Sequence, residues 1–136
     1  MPASAQAGPP SLSTTPVCGA VDGNAQLLGF ATYGVFRAWP AYKYSVEHSV
    51  YVRASERRTR IGLALMQRLI ERAIEQQYHV LVGVIDESNA PSFALHRKLG
   101  FVHVGTIQQA GFKFGRWLDV ALYQLILSSP AQPVDG

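Results

Sequence analysis

The sequence predicts an α+β domain built on a mixed sheet, in the order β-β-β-α-β-α-β-β. Three observations carry this prediction. Strand-like segments dominate residues 17–53, helical spacing takes over from Ile61, and an uninterrupted apolar run of strand length then separates that helix from a second one. At 136 residues, 48% hydrophobic and 15% charged, the chain is one domain's worth and can bury a core.

The elements follow in order. Residues 1–16 are Ala, Pro, Ser, Thr, Gln and Gly with almost nothing to bury, and read as a disordered tail ahead of a folded domain at 17–127. "VCGAV", "DGNA" and "LLGFATYGVF" read as strand, turn and strand, with Asp22-Gly23-Asn24 supplying the turn chemistry. "SVEHSVYVR" is a third strand. Its alternation puts Val46, His48, Val50 and Val52 on one face and Glu47, Ser49 and Tyr51 on the other. From Ile61 to Gln77 the residues Ile61, Leu65, Leu69 and Ile74 fall at helical spacing. "HVLVGVI" (79–85) suits a strand covered on both faces. "NAPSFALHRKLGF" carries both ends of a short helix, with Asn89 near the N-cap, Pro91 in the first turn and Gly100 as the C-terminal left-handed residue. "FVHVGTIQ" and "WLDVALYQLIL" are two closing strands joined by a loop, "QAGFKFGR". Residues 128–136 form a flexible C-terminal tail.

The charge of +3 and pI near 9.2 permit an anionic ligand but are too weak to argue for nucleic acid. One cysteine, Cys18, excludes an internal disulfide and fits a reducing compartment. No run approaches the roughly 18 apolar residues a membrane helix needs, and the N-terminus lacks the basic and apolar regions of a secretory signal. The expectation is a cytoplasmic protein without a membrane partner.

Two constellations carry chemistry. At a helix start, free N–H groups and the dipole favour an anion, and Arg53, Arg57, Arg58 and Arg60 crowd that end of the 61–77 helix. A solvated arginine cluster with one packing glycine is the alternative. "NAPSFALHRKLGF" is, by itself, a capped helix with a Leu/Phe stripe.

Together these segments, spaced around a buried strand, resemble the GCN5-related N-acetyltransferase superfamily. "FRAWPAYKYSVEHSVYV" and "GFKFGRWLDVALYQL" are similar to its phosphinothricin and methionine sulfoximine acetyltransferase branch. The resemblance runs from about Val17 to Leu127 and implies the acyl-CoA acyltransferase fold, with acetyl-CoA as cosubstrate and no metal. It implies that the loop Arg57, Arg58, Thr59, Arg60, Ile61 and Gly62, continuing into Leu63, wraps the coenzyme's pyrophosphate. Main-chain groups of Val50, Tyr51 and Val52 would pair with the pantetheine arm, Asn89 would reach it, and Lys98 would lie towards the CoA end of the second helix. His96 stands where many members have a tyrosine that protonates the leaving thiolate; a satisfied, partly buried histidine is the alternative. Glu47 is the candidate base for the substrate ammonium, because a carboxylate in an apolar alternation is costly unless paired or used. The implied substrate is a small amino acid, with Arg37, Lys43 and Lys113 as cationic clamps and Tyr33 and Trp117 as walls. Asp119 reads as structural. A homodimer is implied, and no nucleic acid.

The sequence departs from the pattern twice. Arg60 replaces the first loop glycine, which costs about 1 kcal/mol or more if that position needs φ > 0. The strand and two helices that members carry ahead of the segment matching Val17 have no counterpart in the Pro/Ser/Ala-rich tail. A truncated, non-catalytic remnant that binds CoA or a partner is the rival expectation.

Overall fold

The computed structural model describes residues 15–56 and 60–136. Strands β1 (Thr15–Val21), β2 (Leu27–Val35) and β3 (Ser45–Val52) come first. Helix α1 (Ile61–Glu75), strand β4 (Val80–Asp86), helix α2 (Ala90–Lys98) and strands β5 (Val102–Lys113) and β6 (Arg116–Ile126) complete the domain. The six strands form one sheet in the order β1-β2-β3-β4-β6-β5, and only the β3–β4 pair is parallel. The predicted element order and mixed sheet are therefore what the chain adopts.

Local chemistry explains the connections. Asp22 Oδ1 accepts from the N–H groups of Asn24 and Gln26 at 2.8 and 3.0 Å, closing the β1–β2 turn. Asn89 Oδ1 accepts from Ser92 N at 3.3 Å and caps α2, while Gly100, at φ +92°, ends it. One expectation fails. The stretch expected as a loop, 109–116, is mostly strand: β5 runs to Lys113 and a tight turn at Phe114-Gly115, both with positive φ, leads straight into β6. The alternation of β5 is broken by a register shift between Ile107 and Gly111, with Gln109 at φ +56°.

Both helices lie on one face of the sheet. Leu65, Leu69 and Ala73, one helical turn apart, and Met66 beside them are buried against Ala31, Val46 and Leu81. Each large apolar side chain so enclosed contributes about 1.5–3 kcal/mol of transfer free energy. α2 sits beside α1, close enough that a Cβ on Gly62 would contact Leu95 at 3.5 Å. Residues 128–136 lie back along the start of β3: Lys43 Nζ donates to the Asp135 carbonyl at 3.0 Å, and Val134 N donates to Tyr44 Oη at 3.0 Å.

Candidate active site

The parallel pair is short. β3 and β4 are in register over four rungs, Ser45 with Val80 through His48 with Gly83, and there the pairing stops. Beyond it β3 stays paired to β2 as far as Val52, while β4 stays paired to β6 as far as Asp86. The two strands part, and the main-chain groups of Ser49–Val52 on the β4 side have no strand partner among the described residues. Such exposed peptide groups need donors and acceptors from elsewhere. α1 follows the end of β3 and α2 follows the end of β4, so both helix N-termini stand at the open end of the cleft. Crevices beyond the carboxyl ends of parallel strands are favoured ligand positions, and helix N-termini there favour anions.

Glu47 lies one rung before the split. Its neighbours Val46 and His48 are buried under the helices, whereas its own side chain projects from the opposite, open face. Partial burial by the surrounding sheet pushes its carboxyl up from the ordinary range. A carboxylate that protonates more readily is a better proton acceptor near neutral pH.

His96 is elsewhere. It is 2% exposed, and His48 is 4% exposed, with their Nε2 atoms 2.8 Å apart and their rings stacked at 5.1 Å. His96 Nδ1 lies 2.7 Å from the Ser92 carbonyl, which can only accept, so the proton sits on Nδ1 and His96 Nε2 is the acceptor. His48 must then donate its Nε2–H. Burial holds His48 well below the ordinary imidazole value, and the neighbouring His96 adds to the effect. Burial also lowers His96, against the opposing bond to Ser92. In this tautomer His96 has no free proton to give.

The other expected residues are scattered in instructive ways. Val50 and Val52 pack beneath the helices, while Tyr51 lies against Phe30 at 5.3 Å on the other face. Arg57, Arg58 and Thr59 lie outside the described residues. Arg60 is exposed at the N-cap of α1 with φ −89°, so the feared positive-φ strain is absent; Ile61, Gly62 and Leu63 form the first turn. The oxygen of Asn89 is committed to its cap, and Lys98 is exposed in the last turn of α2. Tyr33, Arg37 and Lys43 line a cavity of about 670 Å³ with Trp39, Tyr42 and Arg72, at the end of the sheet where β3 begins. Glu47 does not line it. Arg37 lies over Tyr42 at 4.9 Å. Lys113 and Trp117 are on the β5–β6 hairpin beyond Asp86: Trp117 lies nine residues along β6 from Ile126, which pairs with Val80 at the cavity end of the sheet, roughly 30 Å away at strand rise. The structure thus divides the expected substrate group into two. Asp119 is structural: its Oδ1 accepts from Gln109 N at 2.9 Å.

Gly83 went unnoticed in the sequence. A Cβ there would meet His48 Cε1, His48 Nε2 and His96 Nε2, each at 3.1 Å. A glycine inside the apolar run "VLVGVI" was the available signal of a close approach.

A split parallel pair flanked by two helix N-termini has known counterparts. The acetyltransferase (GNAT) family matches residues 6–101. The chain belongs to this family. A methionine sulfoximine/methionine sulfone acetyltransferase from Pseudomonas aeruginosa is 47% identical over 112 residues, covering 82% of this chain and 65% of that protein. A phosphinothricin N-acetyltransferase from Streptomyces coelicolor is 41% identical, covering 77% and 62%. Among solved structures, a phosphinothricin acetyltransferase from Sinorhizobium meliloti in complex with acetyl-CoA has a TM-score of 0.79 at 36% identity, covering 85% of this chain and 63% of that one. The chain therefore spans just under two thirds of the length of these relatives. Among the described residues, no helix is long and apolar enough to cross a membrane, and no cluster of His, Cys, Asp and Glu could hold a metal ion.

Proposed function

We propose that the chain is an acetyl-CoA-dependent N-acetyltransferase acting on the amine of a small amino acid of the phosphinothricin or methionine sulfoximine/sulfone type. The observation that carries this reading is Glu47, raised in pKa on the open face one rung before β3 and β4 part. The activities of the relatives support the substrate class.

The residues present fit the coenzyme. Unpaired main-chain groups at Ser49–Val52 suit an extended amide-bearing arm, and the α1 N-terminus with Arg60, Ile61 and Gly62 suits its phosphates. When bound, acetyl-CoA supplies an activated acyl group. The chain's own work is to strip the incoming ammonium of a proton, which Glu47 performs directly or through water, and to present N–H groups to developing oxyanion charge. His96, neutral and enclosed with its proton on Ser92, serves as part of the cleft's wall in this reading and not as an acid. Arg37 and Lys43 remain the proposed carboxylate clamp; Lys113 and Trp117 stand too far from them in the same copy to touch one small substrate, and in this reading they reach it only from the second copy of the pair. The proposal includes a cytoplasmic setting and pairing of two copies. The exposed apolar side chains Val102, Val104, Ile107, Phe112, Phe114 and Trp117 along β5 and its hairpin support the pairing.

Calorimetry with acetyl-CoA, then thiol release with methionine sulfoximine and phosphinothricin, tests the function. The expected result is coenzyme binding followed by turnover on at least one of these amines. Binding without turnover on any amino acid would favour the rival reading of a chain that binds the coenzyme without transferring its acetyl group.

A further inference from the structure

The residue with the most specific unexplained environment is His48. It occupies the last rung of the β3–β4 pairing, opposite Gly83, and its partner His96 comes from α2, 48 residues away. The two rings fill the space a Cβ on Gly83 would need and pack against Phe101, whose ring lies 5.2 Å from His48 and 4.8 Å from His96. Three elements, β3, β4 and α2, therefore converge on one N–H···N bond at the apex of the split. Its direction is fixed by the Ser92 carbonyl, as derived above. His48 Nδ1 is a buried lone pair with no protein donor among the described residues. Two leucine side chains would fill nearly the same volume without a polar liability, so volume alone does not account for a pair of imidazoles here.

We propose that His48 is a positioning residue: by donating its Nε2–H to His96 it ties β3 to α2 at the rung where the sheet parts, and so fixes the width of the cleft. The tie is directional, unlike apolar packing, and it fixes how far α2 can slide relative to β3. It also holds the α2 N-terminus, with Asn89 and Ser92, at a set distance from the unpaired edge of Ser49–Val52. The inference rests on the proposed function only in calling the split a binding cleft; the tie itself is a property of the chain alone.

The test uses the full chain with His48→Leu and His48→Gln, since the glutamine amide can donate from nearly the place of Nε2. Nitrogen-15 NMR of the wild type should show one imidazole protonated at Nε2 and the other at Nδ1, with coupling across the N–H···N bond. Amide exchange at Ser45–Glu47, the rungs that pair with β4 beside the tie, should accelerate about tenfold in His48→Leu and stay near wild type in His48→Gln, the scale expected for losing one hydrogen bond. Acetyl-CoA affinity should follow the same order. Gly83→Ala, which pushes on both rings, provides an independent perturbation if His48→Leu does not fold, and should also accelerate exchange. Equal exchange in His48→Leu and His48→Gln, unaltered exchange in Gly83→Ala, or a wild-type spectrum with Nε2–H on His96 would overturn the proposal. A chain that shows the exchange pattern but fails to bind acetyl-CoA would instead count against the proposed function.

Discussion

Acidification should destabilise this protein in a window set by its buried imidazoles. His48 is enclosed and held neutral, with its value well below the ordinary 6.5 that the unfolded chain restores. Between those two values the unfolded state binds a proton that the folded state does not, so stability rises with pH there. The contribution is fully present above about 6.5 and is lost as the pH falls below it. From pH 7.5 to 5.5 the loss is about 1.3 kcal/mol for His48 alone, and up to about twice that if His96 also stays neutral. With a urea dependence of 1–3 kcal/mol/M, typical of small domains, the unfolding midpoint should drop by roughly 1 M. Glu47 acts in the opposite sense: its raised carboxyl is ionised at a cost, and acid relieves that cost. Urea titrations across this range in the Glu47→Gln background isolate the imidazoles, and adding His48→Gln should flatten the slope. A midpoint constant across the window, or a slope that His48→Gln leaves undiminished, would refute the reasoning.

Further outcomes follow from individual positions. Glu47→Gln should lower kcat by about 10²-fold or more while leaving acetyl-CoA affinity within a small factor, checked by thiol release and calorimetry. Gly29→Ala should destabilise the fold by at least 1–3 kcal/mol, roughly the cost of overpacking, because the new Cβ would sit 2.6 Å from the Tyr51 carbonyl and 3.0 Å from Leu65; chemical denaturation measures it. Leu69→Ala, at a position with no exposure, should cost about 2–5 kcal/mol in the same experiment. Arg60→Gly should not tighten acetyl-CoA binding, since Arg60 already has a negative φ and pays no left-handed strain; a clearly lower dissociation constant would show that the side chain obstructs the loop.

Much of the fold was legible because its signals are local. Alternation at Val46–Val52 separated Glu47 from the buried side, helical spacing found Leu65 and Leu69, and Asn89 and Gly100 marked both ends of α2. The strand 109–113 was misread because a bulge breaks the period on which strand recognition depends. At the site, the position of Glu47 could be read from the chain, but the His48–His96 contact could not, since no periodicity links two residues 48 apart. Nor could the separation of Arg37 and Lys43 from Lys113 and Trp117. The signs and sizes of those side chains say nothing about which end of a sheet they occupy.

The four-rung parallel seam has a consequence for how the chain assembles. On one side of it lie β1, β2 and β3, consecutive in sequence and joined antiparallel; on the other lie β4, β6 and β5, joined the same way. The β1–β2–β3 unit forms from near neighbours, whereas joining β4 to β3 closes a span of about 35 residues through α1, and β6 reaches β4 over a span about as long or longer through α2 and β5. The seam where the finished sheet parts is therefore also the edge of its one locally assembled three-stranded unit. Amides shared between β1, β2 and β3 should gain protection ahead of those that join β4 to β3 or to β6 as the protein refolds.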